Sequence, residues 1–157
     1  MGRVYTVTAS GSETAAGDFL EILVPADAAM ILHQVVVTQD TEAGDAASEQ
    51  VRVNINRVTG APTSGSGGGT PTPTPVSSGD AAAGITVESF NTTDLTGGTE
   101  TIIHSESFNV MAGMNYLPTP DARPEFAPST RCMVKLISTP ADSITFQVTA
   151  TFEEVGG

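Results

Sequence analysis

Few side chains in this sequence could act together as acids, bases or nucleophiles. The histidines are His33 and His104, and a hydrolytic triad needs a base beside a nucleophile and an orienting group. Neither histidine lies in a recognisable motif, and the sequence contains no GxSxG, GxxxxGK[ST] or HExxH pattern. Acyl transfer, nucleotide hydrolysis and zinc proteolysis therefore lack their usual residues, and we predict that the protein is not an enzyme.

Metal ligands are equally sparse. Cys132 is the single cysteine, so the chain can form no internal disulfide and has no Cys/His spacing typical of zinc sites. Strand alternation places Cys132 inward, where a free cysteine behaves as a small hydrophobic side chain. Asp40, Glu42 and Asp45 lie close together, but their spacing departs from an EF-hand loop and lacks its terminal bidentate glutamate. We interpret them as solvated loop acids, with calcium binding as the alternative, and predict no cofactor.

The charge balance narrows the classes of partner. Acidic residues outnumber basic ones 18 to 6, which gives a net charge of -12. Nucleic acids and anionic membranes bind clustered lysine and arginine, so we expect neither as a partner. The N-terminus shows no signal-peptide pattern, and no apolar run is long enough to cross a membrane, which favours a soluble protein made in the cytoplasm. Five of the rare cations are each expected to meet a carboxylate, within the fold or across an interface: Arg52, Arg57, Arg123, Arg131 and Lys135.

Alternation of apolar and polar residues dominates the sequence and indicates β-strands, because successive strand side chains point to opposite faces. Clusters of Gly, Pro, Asp and Ser separate the candidate strands, and Asp40–Gln50 forms at most one or two helical turns. Parallel strands need long crossovers, so short consecutive strands favour antiparallel pairing. We predict an all-β fold, an antiparallel β-sandwich of which the jelly roll is one form. The candidate strands cover residues 3–9, 18–25, 29–39, 51–56, 84–92, 100–111, 114–118, 130–138 and 144–153.

Some of these strands are apolar on both faces. In one of them, Met30 and Leu32 alternate out of phase with Ile31 and Val35. A sandwich strand needs only one apolar face. The second set of apolar residues has to be covered by the chain's own long loops, by another subunit or by a partner.

One segment is much longer than the loops of compact domains usually are. Between Gly60 and Gly84 the chain consists mostly of Gly, Ser, Thr, Pro and Ala. We expect residues 64–69 to be a flexible coil and residues 70–75 to be an extended polyproline II arm. Three interpretations stay open: a loop without a partner, a linker between two small domains, and an arm that pairs with a neighbouring subunit. We treat residues 1–157 as one sandwich domain with this extended insert.

A second proline-rich stretch, residues 117–128, is expected to form another extended loop. Tyr116 and Phe126 are its expected anchors. This loop and the arm supply most of the residues for which we predict contacts with a partner. The predicted contact residues are Thr70, Pro71, Thr72, Pro73, Thr74, Pro75, Arg123 and Arg131.

Three stretches carry a resemblance to a known class of protein: Thr63-Ser-Gly-Ser-Gly-Gly-Gly-Thr-Pro-Thr-Pro-Thr-Pro, Phe90-Asn-Thr-Thr and Pro140-Ala-Asp-Ser-Ile-Thr. With the acidic, helix-poor composition, they resemble small virion proteins of tailed bacteriophages. The resemblance implies a head decoration, or cement, protein, which is a β-rich and commonly trimeric subunit. Such a subunit is made in the cytoplasm of the bacterial host and binds the major capsid protein on the outer capsid surface of the virion, where it reinforces the contacts between capsomers.

Other classes stay open. A phage tail or receptor-recognition module would display exposed aromatic residues on its loops, and this chain has 2 Tyr and 6 Phe. A bacterial surface adhesin-like β domain is a further alternative. A small β-sandwich carbohydrase would need a carboxylate pair near aromatic sugar platforms, and tryptophan is absent. We therefore expect a noncatalytic virion structural protein that decorates the capsid.

Overall fold

The computed structural model of the chain describes residues 2–41 and 49–156. Nearly every regular element in these ranges is a β-strand, and the one helical element is the 3-10 turn Pro120–Ala122. The helical turns expected within Asp40–Gln50 fall largely on residues 42–48, outside the described ranges, as do Glu42 and Asp45 of the acidic group. The strands are β1 (Arg3–Glu13), β2 (Gly17–Leu23), β3 (Ala28–Gln39), β4 (Gln50–Thr59), β5 (Thr74–Pro75), β6 (Thr86–Ser89), β7 (Thr99–Asn109), β8 (Met114–Tyr116), β9 (Glu125–Phe126), β10 (Arg131–Leu136) and β11 (Ile144–Gly156).

Two antiparallel sheets pack face to face, which confirms the predicted all-β sandwich. The six-stranded sheet has the order β5-β1-β11-β3-β8, with β9 also paired to β3, and the five-stranded sheet has the order β6-β2-β10-β4-β7. Their inner faces share one apolar core. Strands from both sides of the segment Gly60–Gly84 enter each sheet, since β1 and β11 are neighbours in one and β4 and β10 in the other. The segment is therefore not a linker between two sandwiches.

Three β-bulges interrupt the strands, and those in β2 and β3 explain part of the second apolar face of these two strands. The register shifts leave one extra residue in β2, β3 and β7, namely Phe19, His33 and Ile103. An extra residue reverses the alternation beyond it. Leu32 and Val35, on either side of His33, consequently both point into the core and are fully buried. Much of the second apolar set thus belongs to the core of the chain itself.

Two short strands lie in the proline-rich segments, where the sequence predicts loops. Strand β5 pairs with β1 at one edge of the six-stranded sheet, and β9 pairs with β3 beside β8. Proline lacks a backbone N–H, so such segments can pair only at a sheet edge. Phe126 is fully buried and Tyr116 packs against the core, which confirms both as anchors of the second proline-rich stretch.

Candidate functional site

The first part of the long segment lies on the outer face of the five-stranded sheet. Residues 63–69 run antiparallel to residues 89–96 through isolated bridges, the first of which joins Thr63 and Thr96. We call these two stretches the ribbon. Leu95 of the ribbon packs on Val58 and Met133 of the sheet in a small second apolar cluster. The chain's own loops therefore cover this face, as one of the open interpretations holds.

The glycines of the ribbon allow two stretches of backbone to approach closely. A Cβ atom on Gly68 would lie 2.0 Å from the carbonyl oxygen of Ser89, and one on Gly65 would lie 2.5 Å from Nδ2 of Asn91. Gly67 has a φ of +84°, which favours glycine over residues with a side chain. Glycine at these positions allows the two stretches of backbone to pack closely. The interpretation of residues 64–69 as a flexible coil is therefore wrong.

The strap, which we define as Thr70–Pro75, continues from the ribbon to the edge of the other sheet. Its last two residues, Thr74–Pro75, are extended, and Thr74 pairs with Thr6 of β1. Pro73 is buried, whereas Thr70, Thr72 and Thr74 are exposed. A small cavity of about 170 Å³ lies between the strap and the start of β6, where Ile85 and Val87 line it.

Further bonds fix the chain after the strap. Val76 N donates to the carbonyl oxygen of Val4 at 2.9 Å, and the Tyr5 hydroxyl donates to the carbonyl oxygen of Ala81 at 3.0 Å. The segment predicted to reach a neighbouring subunit thus pairs with β1 of its own chain. The threonine side chains of the strap stay available for contact.

The carboxylate of Glu21, under the ribbon, bonds to both the ribbon and the neighbouring strand. It is buried on β2 and forms an ion pair with Arg131 of β10. Its Oε2 accepts a hydrogen bond from Gly65 N at 3.0 Å, and Arg131 Nη1 also donates to Ser64 Oγ at 2.8 Å. The pair therefore holds the start of the ribbon on the sheet. Arg131, predicted to contact a partner, has its guanidinium engaged within the chain.

Two more buried carboxylates hold backbone N–H groups of the same loops. Asp18 Oδ2 accepts a bond from Leu95 N at 3.0 Å, and Asp18 Oδ1 lies 3.5 Å from Lys135 Nζ. Glu154 Oε2 accepts a bond from Ile85 N at 2.8 Å, where the long segment enters β6. We did not predict a role for Asp18, Glu21 or Glu154 from the sequence. The detectable signal is that Asp18 and Glu21 interrupt an otherwise apolar strand.

Burial and neighbouring charges shift the pKa values around Asp18. Burial raises the pKa of Asp18 above its ordinary value, although the bond from Leu95 and the charge of Lys135 oppose the change. Burial also raises the pKa of Glu13, and the carboxylates of Asp94 and Asp18 add to this effect. Burial alone would lower the pKa of Lys135, but Asp18 and Glu100 raise it overall. The carboxylates of Asp18 and Glu100 thus both favour the charged form of Lys135.

Replacing Asp18 by asparagine is expected to change how stability depends on pH. A carboxyl whose pKa is higher in the folded state than in the unfolded state favours folding when it is protonated. Its contribution to the free energy of unfolding is therefore complete when the pH is below 3.8, the ordinary pKa of the group. The contribution falls as the pH rises through the folded-state pKa, and Asp18→Asn removes this titration. Urea denaturation at several pH values should show the free energy of unfolding of the variant, relative to wild type, increasing from about pH 3.8 upward. A constant or decreasing difference would contradict the assignment.

Two of the five cations pair with a carboxylate in the described part of the chain. Within residues 2–41 and 49–156, Arg52, Arg57 and Arg123 have no acidic oxygen within 4.0 Å, whereas Arg131 and Lys135 do. Arg57 Nη2 instead donates to a backbone carbonyl oxygen at 2.7 Å, and its guanidinium lies 5.2 Å from an aromatic ring centroid. Arg123 is half-buried, and its Nε has no acceptor among the described residues. Arg52, Arg57 and Arg123 therefore do not pair with a carboxylate in the described part of the chain, and pairing across an interface stays a prediction for them.

The histidines lie on different sheets and each contacts a glutamate. His33 Nε2 lies 3.3 Å from Glu153 Oε2 on the six-stranded sheet, and His104 Nε2 lies 3.0 Å from Glu106 Oε2 on β7. In the described part of the chain, no group of three or more His, Cys, Asp and Glu side chains could hold a metal ion. The side chains that could do chemistry are thus dispersed.

Cys132 is expected to be unreactive in the folded protein. Its side chain is fully buried, which confirms the inward orientation, and burial raises the pKa of the thiol to about 12. The thiolate is the reactive form of cysteine. Iodoacetamide at pH 8 should therefore label Cys132 in urea but not in buffer, as read by intact mass. Rapid labelling of the native protein would contradict the burial.

Comparisons with protein-family models, with curated proteins and with solved structures find no match to this chain. Among residues 2–41 and 49–156, no helix has the length and apolar character needed to span a membrane.

Proposed function

We propose that this protein is a noncatalytic structural subunit of a phage virion that binds the outside of the head. It contacts the major capsid protein and reinforces the contacts between capsomers. The proposal rests on the positions and hydrogen bonds of three buried acids, Asp18, Glu21 and Glu154. Each holds a backbone N–H of a loop against the sandwich. In the proposed subunit, these buried carboxylates fix the loops that form part of the surface available to the capsid.

The overall charge supports the same proposal. A subunit with a net charge of -12 does not compete for packaged DNA. Many symmetric copies on one shell make weak individual contacts strong in sum. As part of the proposal, the subunit forms a homotrimer, and native mass spectrometry should find three times the 16.1 kDa chain mass.

Binding to isolated phage particles tests the proposed function. Purified protein is mixed with expanded heads of the phage that encodes it, prepared without decoration, and with tails of the same phage as the matched control. Co-sedimentation with heads and not with tails supports the proposal. Binding to tails alone would reassign the protein to the tail, and binding to neither would overturn a virion role.

A further inference from the structure

Strand β7 is a long sheet edge, and among residues 2–41 and 49–156 no strand pairs with its outer side. It forms one end of the five-stranded sheet, contains 11 residues and pairs with β4 on its inner side. The other described sheet ends are short, since β5 has 2 residues, β8 has 3 and β6 has 4. A long free edge presents backbone donors and acceptors that another strand can pair with.

The hydrogen-bond pattern shows which backbone groups of β7 are free. Ile137 N donates to the carbonyl oxygen of Arg52 at 2.8 Å, so the backbone groups of Arg52 face the β10 side of β4. Arg52 lies opposite Ser107, and Ser105 lies two residues before Ser107. In an antiparallel pair, residues opposite each other either exchange hydrogen bonds or both point away. The N–H and C=O groups of Ser105 and Ser107 therefore face the free edge.

The side chains around this edge suit a docked strand. Both serines are small and exposed, and Ile102 on the same strand is 60% exposed. The ring of His104 lies 4.5 Å from that of Tyr116, so the edge of the other sheet meets β7 here, and the next residue, Leu117, is 63% exposed. The edge thus combines free backbone groups with exposed apolar side chains.

The charges along β7 indicate which kind of strand the free edge would bind. Glu106 is 40% exposed at its side chain, and its described partner is His104. Antiparallel pairing of two β7 strands through these free groups would place Ser105 of one copy opposite Ser107 of the other. Glu106 would then lie opposite Glu106 of the other copy, and like charges in opposite positions are destabilising. Each copy also carries a net charge of -12. A second copy is therefore a poor occupant, and a basic segment is a good one.

We propose that His104–Asn109 binds an extended segment of another protein as an added strand, with apolar and basic side chains alternating along that segment. The inference rests on the proposed function, in which the segment belongs to the major capsid protein. The bulge at Ile103 and the acidic charge keep the free edge from pairing between copies.

Variants at Ser107 test the proposal with a matched control. Ser107→Pro removes an N–H that the sandwich does not use, and proline is tolerated at such edge positions, whereas Ser107→Ala removes only the hydroxyl. The probe is a capped hexapeptide of alternating lysine and valine, titrated by NMR. It should shift the amide signals of Ser105 and Ser107, and Ser107→Pro should weaken binding about tenfold while Ser107→Ala changes it less than about twofold. Equal affinity of both variants, or unmoved signals at both serines, would overturn the proposal.

A charge variant and a head-binding assay complete the test. Glu106→Lys should also weaken binding of the lysine peptide, which keeps the proposal testable if Ser107→Pro does not fold. On heads that bind the wild type, Ser107→Pro should lose occupancy relative to Ser107→Ala, and equal occupancy would overturn the proposed edge. If the wild type itself does not bind heads, the proposed function fails, and the peptide titration alone decides whether β7 accepts a strand.

Discussion

Replacing Glu21 by alanine is expected to lower the free energy of unfolding by about 3–5 kcal/mol. The substitution leaves the Arg131 guanidinium in a largely buried position without its carboxylate, and it removes the acceptor of Gly65 N. An uncompensated buried charge costs far more than an exposed ion pair contributes. Urea denaturation of the variant and the wild type measures the difference.

Two further variants show whether the loss of stability comes from the unpaired charge of Arg131 or from removing an acidic residue of any kind. Asp142 is exposed in a turn, so Asp142→Ala should change stability by less than about 0.5 kcal/mol. A double variant, Glu21→Met with Arg131→Met, removes both charges and should recover much of the lost stability. A loss for Glu21→Ala as small as that for Asp142→Ala would refute the role of Glu21 in holding the ribbon.

Replacing Gly68 by alanine is expected to lower the free energy of unfolding by about 1–3 kcal/mol. The added Cβ would lie 2.0 Å from the carbonyl oxygen of Ser89, which is backbone and cannot rotate away. The two stretches of the ribbon must then separate or distort.

Gly79 provides the matched control for Gly68. A Cβ on Gly79 would have no atom within 4 Å, and an alanine there reduces the conformational freedom of the unfolded chain. Gly79→Ala should therefore leave stability unchanged or slightly higher. Thermal unfolding of both variants tests the comparison, and equal melting temperatures would mean that the glycine run does not pack as described.

Strand positions were predictable from the sequence because alternation is a local signal. The strand containing Val51, Val53 and Ile55 became β4, and the alternation beginning at Ile144 became β11. The bulges were not predictable in the same way. Phe19 and His33 produce a reversal of phase that looks like a second apolar face, and only the register of the neighbouring strands shows that both phases enter one core.

The loops that cover the sheet depend on contacts between residues far apart in the chain. Gly65 and Gly68 suggested flexibility when considered alone, since glycine permits many backbone conformations. Their close contacts with Asn91 and Ser89 exist only in the folded chain. The pairing of Glu21 with Arg131 is equally non-local, although a charge within an apolar strand gave some indication that Glu21 is special.

Amide hydrogen exchange at Gly65, Ile85 and Leu95 tests most directly the claim that the buried acids hold the loops on the sandwich. Each of these N–H groups donates to a buried carboxylate, although each lies in a loop or next to one. Exchange measured by NMR should be protected at these sites nearly as strongly as in the core strands. Exchange at the rate of an unstructured loop would show that the carboxylates do not hold the loops, and it would remove the main support for the proposed structural role.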